Sequence, residues 1–434
     1  MIRIILPAVL LGFCTFPAAA VKIAGTDDAQ VLIFPFFSVE ADAFTELTIR
    51  NRGQDGKAVR VVIKEAVAGR PFISLNVYLK PGDGWTGRLN PGPGRTAMLT
   101  STDESCTFPE LGATGLRSLR GFLNGDLDAG RVPGSLLEAG FVEVYEMGSM
   151  DAALADDCGA IVSRWEDGIW SGSGVQNEDL AAPTGGLSGR AFSNGRGMTF
   201  AFQPTGLAEF RDAPLQTAPA IAARPALSDV RPARAEVLVV DDNAATLTLT
   251  ERTSTFPDEP IHAVEAVLMT QRLRAEYDSL VDRARTFAGT MLLFPTQAYG
   301  TFGAGYYPGA DQRQPLGVGD GTLNAGLVDS AGASQDALVT PPAGQACDRY
   351  SGVLNIVSLV GFIAFSHVCD LADAELFLAN DAYQGEVGFT FDGELVSAEG
   401  HTFVGLPVIG HLFQTRIKDS ETFVGAYALP MDRD

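Results

Sequence analysis

The chain is poor in the residues that most often carry chemistry. Its 434 residues hold 4 His, 5 Cys and 3 Trp. The histidines, at positions 262, 367, 401 and 411, are scattered, and no His-Glu-x-x-His occurs. The helix-borne zinc hydrolase signature is therefore missing. No Cys-x-x-Cys occurs, so neither a zinc ribbon nor a dithiol redox pair is expected. Gly-x-Ser-x-Gly is also missing. Gly186-Leu187-Ser188-Gly189 falls one residue short of it and reads better as part of a hairpin strand. Gly82-Asp83-Gly84-Trp85-Thr86-Gly87 has the letters of a dinucleotide fingerprint. It lies between two strand-like runs, with no helix behind it to present an N-terminus to phosphate, so a hairpin turn is expected. Basic residues are scarce: 31 Lys and Arg against 53 Asp and Glu leave a net charge of −22. That field repels phosphate backbones, so nucleic acid is not expected as a partner. Long apolar runs are scarce too. Beyond the first twenty residues the best is 353–368, which is short and interrupted by Asn355, Ser358, Gly361, Ser366 and His367. It reads as buried strand, and no transmembrane segment is expected after the leader.

What is present begins with the leader. Met1-Ile2-Arg3 is a short basic start, residues 4–16 are apolar, and Pro17-Ala18-Ala19-Ala20 supplies small residues for cleavage. Residues 1–20 therefore read as a signal peptide, which places the mature protein in the periplasm, at the cell surface or outside the cell. Cys14 lies inside this leader behind Phe13, not behind the small residue a lipid acceptor wants. The other four cysteines are an even number in an oxidising compartment. Their spacing favours two local disulfides, Cys106 with Cys158 and Cys347 with Cys369, among the three formal connectivities.

The hydrophobic fraction of 46% supplies ample material for a core, and the length suggests more than one domain. Period-two alternation dominates. Leu47 and Ile49 alternate with Glu46, Thr48 and Arg50, and Val59, Val61 and Ile63 alternate with Arg60 and Lys64. Strands are also expected at 30–38, 72–79, 85–89 and 140–146, with turn chemistry between several of them. Pro35 marks its strand as an edge or a bulge. Asn194-Gly195 between two strand-like runs predicts a hairpin. Short helices are expected near 115–123 and 158–165, and a longer one over 260–277 from the spacing of Ile261, Val264, Val267, Leu268 and Leu273. The expected fold class is mainly β. An immunoglobulin-like β-sandwich occupies 21–212, and a second β-rich domain with one packed helix occupies 235–434. Between them, 213–234 is a Pro- and Ala-rich linker or long surface loop.

Candidate sites are few. Asn124, Asp126 and Asp128 place oxygen ligands at alternate positions, like the opening of a calcium loop. Ala129 and Ser135 stand where that loop needs Gly and Glu, so an acidic surface loop is the competing reading. Calcium is the one cofactor this pattern nominates. His401 and His411 flank a turn at 405–410 that could bring them together, with two ordinary strand-end histidines as the alternative. Trp165 and Trp170 border Gly- and Ser-rich sequence and could stack on sugars, while Trp85 reads as core. Residues 300–346 form a long Gly- and Asp-rich stretch of the kind that is often functional. No residue is nominated as catalytic.

Several segments resemble a group of uncharacterised exported bacterial proteins. They are the Phe34-Pro35 strand, Asn76-Val77-Tyr78-Leu79, Gly84-Trp85-Thr86-Gly87, Gly140 to Gly148, Ala266-Val267-Leu268-Met269, Phe294-Pro295-Thr296 and Gly405 to Gly410. The first half also looks loosely like immunoglobulin-type modules of periplasmic chaperones and surface proteins. The resemblance implies a single exported β-rich protein and brings no assigned activity. The expected role is therefore a non-enzymatic one: structure or binding at the cell surface or in the periplasm. The expected partner is a protein or other envelope component, with self-association through strand edges as one form of it. The alternative is a secreted hydrolase or glycan-binding protein using the 300–346 region.

Overall fold

The computed structural model describes residues 19–39, 43–65, 69–93, 96–111, 115–117, 137–195, 198–220, 224–241, 248–278, 286–302, 324–329, 334–336, 360–364, 384–391, 393–418, 421–428 and 431–432. The fold is mainly β. In chain order the first strands are β1 (Lys22–Ile23), β2 (Val31–Ser38), β3 (Phe44–Asn51), β4 (Gly56–Glu65), β5 (Pro71–Leu79), β6 (Gly84–Gly92), β7 (Thr96–Thr100) and β8 (Cys106–Phe108). They continue with β9 (Leu116–Arg117), β10 (Ala139–Met150), β11 (Trp165–Glu166), β12 (Ile169–Trp170), β13 (Leu187–Gly195), β14 (Met198–Phe202) and β15 (Thr205–Ala208). One antiparallel sheet has seven strands in the order β1-β15-β2-β10-β4-β5-β8, and a second has six in the order β14-β13-β3-β6-β7-β9. The sheets lie face to face. A Cβ added to Gly189 in β13 would fall 2.7 Å from Cζ of Phe34 and 3.2 Å from Cδ1 of Leu32, both in β2.

The alternation expected for β3 is what it shows: Thr45, Leu47, Ile49 and Asn51 are buried, and Arg50 is exposed. β2 is an interior strand between β15 and β10. Pro35 is accommodated by a bulge, since Phe37 faces Gly140 but Phe34 already faces Val142. The hairpin at Asn194-Gly195 forms with its turn moved on: Asn194 pairs with Thr199 and Gly195 with Met198.

β4 departs from expectation. All ten of its residues are buried, including Arg60 and Lys64, which were read as outward. They do point away from the second sheet, but the Pro- and Ala-rich stretch lies across Arg60, and Lys64 is paired with Glu143 over the Phe141 ring. Arg60 donates to the Asn76 side chain at 2.9 Å and to the carbonyls of Ala218 and Pro219 at 3.2 Å each. Asn76 donates to the Thr217 carbonyl at 3.0 Å, and Ser74 to the Pro219 carbonyl at 2.9 Å. Gln216 reaches the Tyr78 hydroxyl at 2.6 Å. The segment read as a linker or surface loop is therefore a cover, with Gln216, Ala218, Leu227 and Val230 buried. The pairing is chemical. A proline-rich backbone offers carbonyls and few donors, while the β4–β5 face offers donors that must be satisfied once buried. Burial lowers the Arg60 guanidinium to about 9, which still leaves it charged at neutral pH.

Two short helices follow β10: α1 (Ala152–Asp156), capped by Asp151, and α2 (Cys158–Ser163), capped by Asp157. Leu116 and Arg117, expected in a helix, instead pair with Leu99 and Met98 as β9. The third helix, α3 (Ile261–Leu268), is half the length expected. Its last carbonyl accepts the Thr270 hydroxyl at 3.2 Å and the Val408 amide at 3.2 Å. Arg272–Asp278 then pairs along its whole length with Gln384–Thr390. Leu273, counted toward a helix, belongs to an alternation with Ala275 and Tyr277 that a strand satisfies.

The second half holds α3 beside a five-stranded and a four-stranded sheet and smaller ribbons. It is not packed independently of the first half. Val21 bridges Ala235, Lys22 pairs with Glu236 at 3.3 Å, and one contiguous buried cluster runs from Val31 and Trp85 through Val264 and Leu268 to Leu406. Among the described residues no helix is long and apolar enough to cross a membrane.

Candidate functional site

The sequence-nominated residues do not converge. Asn124, Asp126 and Asp128, the pair Cys347 and Cys369, His367 and most of 300–346 lie outside the described residues. Cys106 and Cys158 are bonded as expected. Trp165 and Trp170 are packing residues. Trp170 is buried and stacks on Tyr78 at 5.6 Å, Trp165 stacks on Phe108 at 4.8 Å, and the two indoles meet edge to face at 5.5 Å. Trp165 donates to the Tyr78 hydroxyl and Trp170 to the Glu178 carbonyl. Those ring faces are taken by neighbours, so they offer no platform for a sugar. His401 and His411 have separate partners: Nδ1 of His401 meets the Ser254 hydroxyl at 2.8 Å, while Nε2 of His411 donates to the Gln203 carbonyl at 3.2 Å. Ser254 is fully buried, which removes it as a reachable nucleophile.

Two buried titratable groups carry shifted protonation. Glu265 on α3 is fully buried, and among the described residues neither of its oxygens has a hydrogen-bond partner. Thr301 and Thr296 stand close enough to ease its charge without closing a hydrogen bond, and His262 Nε2 is 3.9 Å away. Burial raises this carboxyl to about 7, and lowers His411 to about 4. The signs oppose. Glu265 keeps a proton in the native state that the unfolded chain loses above about 4.5, so its contribution to stability falls as pH rises from about 4.5 to 7. His411 stays neutral where the unfolded chain is protonated, so its contribution falls as pH drops from about 6.5 to 4. Each amounts to about 3 kcal/mol, and in the native protein they nearly cancel. Glu265→Gln is therefore expected to gain about 3 kcal/mol at pH 8 and almost nothing at pH 4. Urea unfolding of both proteins across that range checks it, and a gain independent of pH would refute the assignment.

The opening that does present chemistry lies at an edge of the six-stranded sheet. β13 is paired with β14 only from Ala191 onward, so residues 188–190 have β3 on one side and a cleft on the other. The cleft has a volume of about 810 Å³ and is completed by residues 23–27, Ala29 and residues 203–206. Three of its lining residues are arginines, Arg50, Arg52 and Arg190, against one acidic residue, Asp27. Register explains their convergence. Arg50 pairs with Ser188 and Thr48 with Arg190, so Arg50 and Arg190 are diagonal neighbours on one face, about 7–8 Å apart at the backbone. Nε of Arg52 reaches the same face, 3.3 Å from the Ser188 hydroxyl and 3.5 Å from Asp27. Among the described residues neither Arg50 nor Arg190 has a counter-charge.

The backbone adds a donor. The Arg52 amide bonds to the Gly186 carbonyl, and the Leu187 amide turns away to the Ala29 carbonyl. Antiparallel alternation then makes Arg50–Ser188 and Thr48–Arg190 the hydrogen-bonded pairs, and aims the Gly189 N–H and C=O into the cleft. Guanidinium forks beside a free amide suit an oxyanion, and they do so against the charge of the chain as a whole. The alternation in β3 sets Arg50 outward, but nothing in it marks a cleft. Arg50 and Arg190 are neighbours only through the β3–β13 pairing, which no local pattern announces. The nearest local signal is Gly186-Leu187-Ser188-Gly189, one residue short of a nucleophile motif. No known protein family, curated protein or solved structure matches this chain.

Proposed function

We propose that this is an exported, non-enzymatic binding protein whose arginine-lined cleft takes an anionic ligand belonging to the cell envelope. The observation that carries the reading is the convergence of Arg50, Arg52 and Arg190 on one cleft in a chain of net charge −22. Surface arginines that serve only solubility are normally interspersed with acidic partners, and the two charges unmatched among the described residues, Arg50 and Arg190, favour anions at this cleft. The basic-apolar leader and the Cys106–Cys158 bond support an exported setting.

Isothermal titration of the mature protein with acetate, inorganic phosphate and octanoate tests the reading. Binding is expected to weaken with salt, and Arg50→Ala combined with Arg190→Ala is expected to cost at least about 10- to 100-fold in affinity. Both side chains are exposed, so the variant retains its fold, which the unfolding midpoint verifies. Absence of heat with every anion, or equal binding by the variant, would remove the proposal.

A further inference from the structure

The lining of the cleft is mixed, and the mixture narrows the ligand. On one side stand the exposed arginines. On the other, Ile23, which is 39% exposed, and the half-buried Ala24 and Pro204 keep aliphatic surface open to the cleft, above the buried Ala29, Leu32 and Leu187. Charged and aliphatic surface therefore stand side by side. An inorganic anion would meet the arginines alone and leave that aliphatic surface to water, which gains nothing from it. The volume of about 810 Å³ falls in the range of small-molecule sites, which combine a mainly apolar lining with a few placed polar groups.

We infer that the cleft takes an amphipathic small molecule with one oxyanion head and an aliphatic body, a long-chain carboxylate being the simplest member. The inference rests on the anion-binding reading above and adds the body to the head. The head lies across the guanidinium groups of Arg50 and Arg190, within reach of the Gly189 amide. The body lies along Ile23, Ala24 and Pro204. Arg52, already held by Ser188 and Asp27, orients the rim and does not contribute a fully free charge. The same head could be a free fatty acid or the phosphate of a lipid, and the two share the feature the cleft reads.

A homologous series separates the parts. The mature protein is titrated with n-alkanoates from butanoate to dodecanoate, all below their micellar concentrations. Affinity is expected to rise about fourfold per methylene until the cleft is filled, and then to level off. Arg50→Ala with Arg190→Ala is expected to weaken all chain lengths by a similar factor. Ile23→Asn, at an exposed rim position, is expected to weaken dodecanoate and leave acetate unchanged. Alkyl phosphates of matched length form a second arm: tighter binding than the alkanoates assigns the head to a lipid phosphate, weaker binding to a carboxylate, and either supports the inference. Chain-length-independent binding would overturn the aliphatic body while leaving anion binding intact. Equal binding of alkyltrimethylammonium would overturn the oxyanion head. Failure of every anion would overturn both this inference and the function it rests on.

Discussion

Glu146→Ala is expected to lower the unfolding free energy by about 3–5 kcal/mol. Glu146 in β10 and Lys57 in β4 form an ion pair at 2.7 Å with both side chains wholly buried. The carboxylate also accepts the Thr184 amide at 2.9 Å and the Gly185 amide at 2.8 Å, and Lys57 donates to the Thr184 hydroxyl. Removing the carboxylate strands an ammonium away from water and leaves two amides without partners. The pair's net worth is smaller than that loss, because burying two charges is itself costly. Lys57→Met with Glu146→Leu should therefore recover much of the stability lost by Glu146→Ala alone. Chemical denaturation of the three variants measures this, and a loss under 1 kcal/mol for Glu146→Ala would show that the pair is hydrated. A second consequence reaches the cleft. Residues 184 and 185 lead directly into β13, so freeing them should loosen the edge that carries Ser188 and Arg190 and weaken ligand affinity together with stability.

Replacing Cys106 and Cys158 together by alanine is expected to cost about 4 kcal/mol. The two residues are 52 positions apart in sequence, and in the chain-entropy account closing so long a loop restricts the unfolded ensemble by about that amount. The bond links β8, at the edge of the seven-stranded sheet, to the first turn of α2. It sits in a small second core with Tyr78, Met147, Ile161 and Trp170. That core is separate from the main one, so it has few other means of staying closed. Thermal unfolding with and without reductant checks the figure. The midpoint of the native protein should fall under reduction and that of the variant should not. Tryptophan fluorescence should report the change, since Trp165 and Trp170 pack beside the bond. An unchanged midpoint under reductant would mean that the second core holds without its bridge.

Period two was legible wherever one face of a strand is buried and the other solvated, as in β3. It misled where both faces are buried. Arg60 and Lys64 alternate with valines as a solvated face would, yet residues about 160 positions later cover Arg60 and a neighbouring strand supplies the partner of Lys64. Lys64 is charge-paired with Glu143, and the Tyr145 hydroxyl donates to the same carboxylate. Helical spacing misled in the other direction: Leu273 fits a helix by count, but the carbonyl of Leu268 is claimed by Thr270 and Val408 before the helix can reach it. The Cys106–Cys158 pairing was legible because an even cysteine count and local spacing leave few alternatives.

From its sequence alone this protein was committed to antiparallel β-structure, an acidic surface and a local sulfur bridge, because alternation, charge balance and cysteine spacing act over a few residues or over the chain as a whole. Tertiary structure decided which outward polar residues meet water and which meet backbone carbonyls, and it brought Arg50 and Arg190 from two distant strands, with Arg52 just beyond the first, into one cleft. The reason is that strand pairing and burial are settled by neighbours far along the chain. A residue's own surroundings in sequence record which way it points, and the folded molecule alone records what it points at.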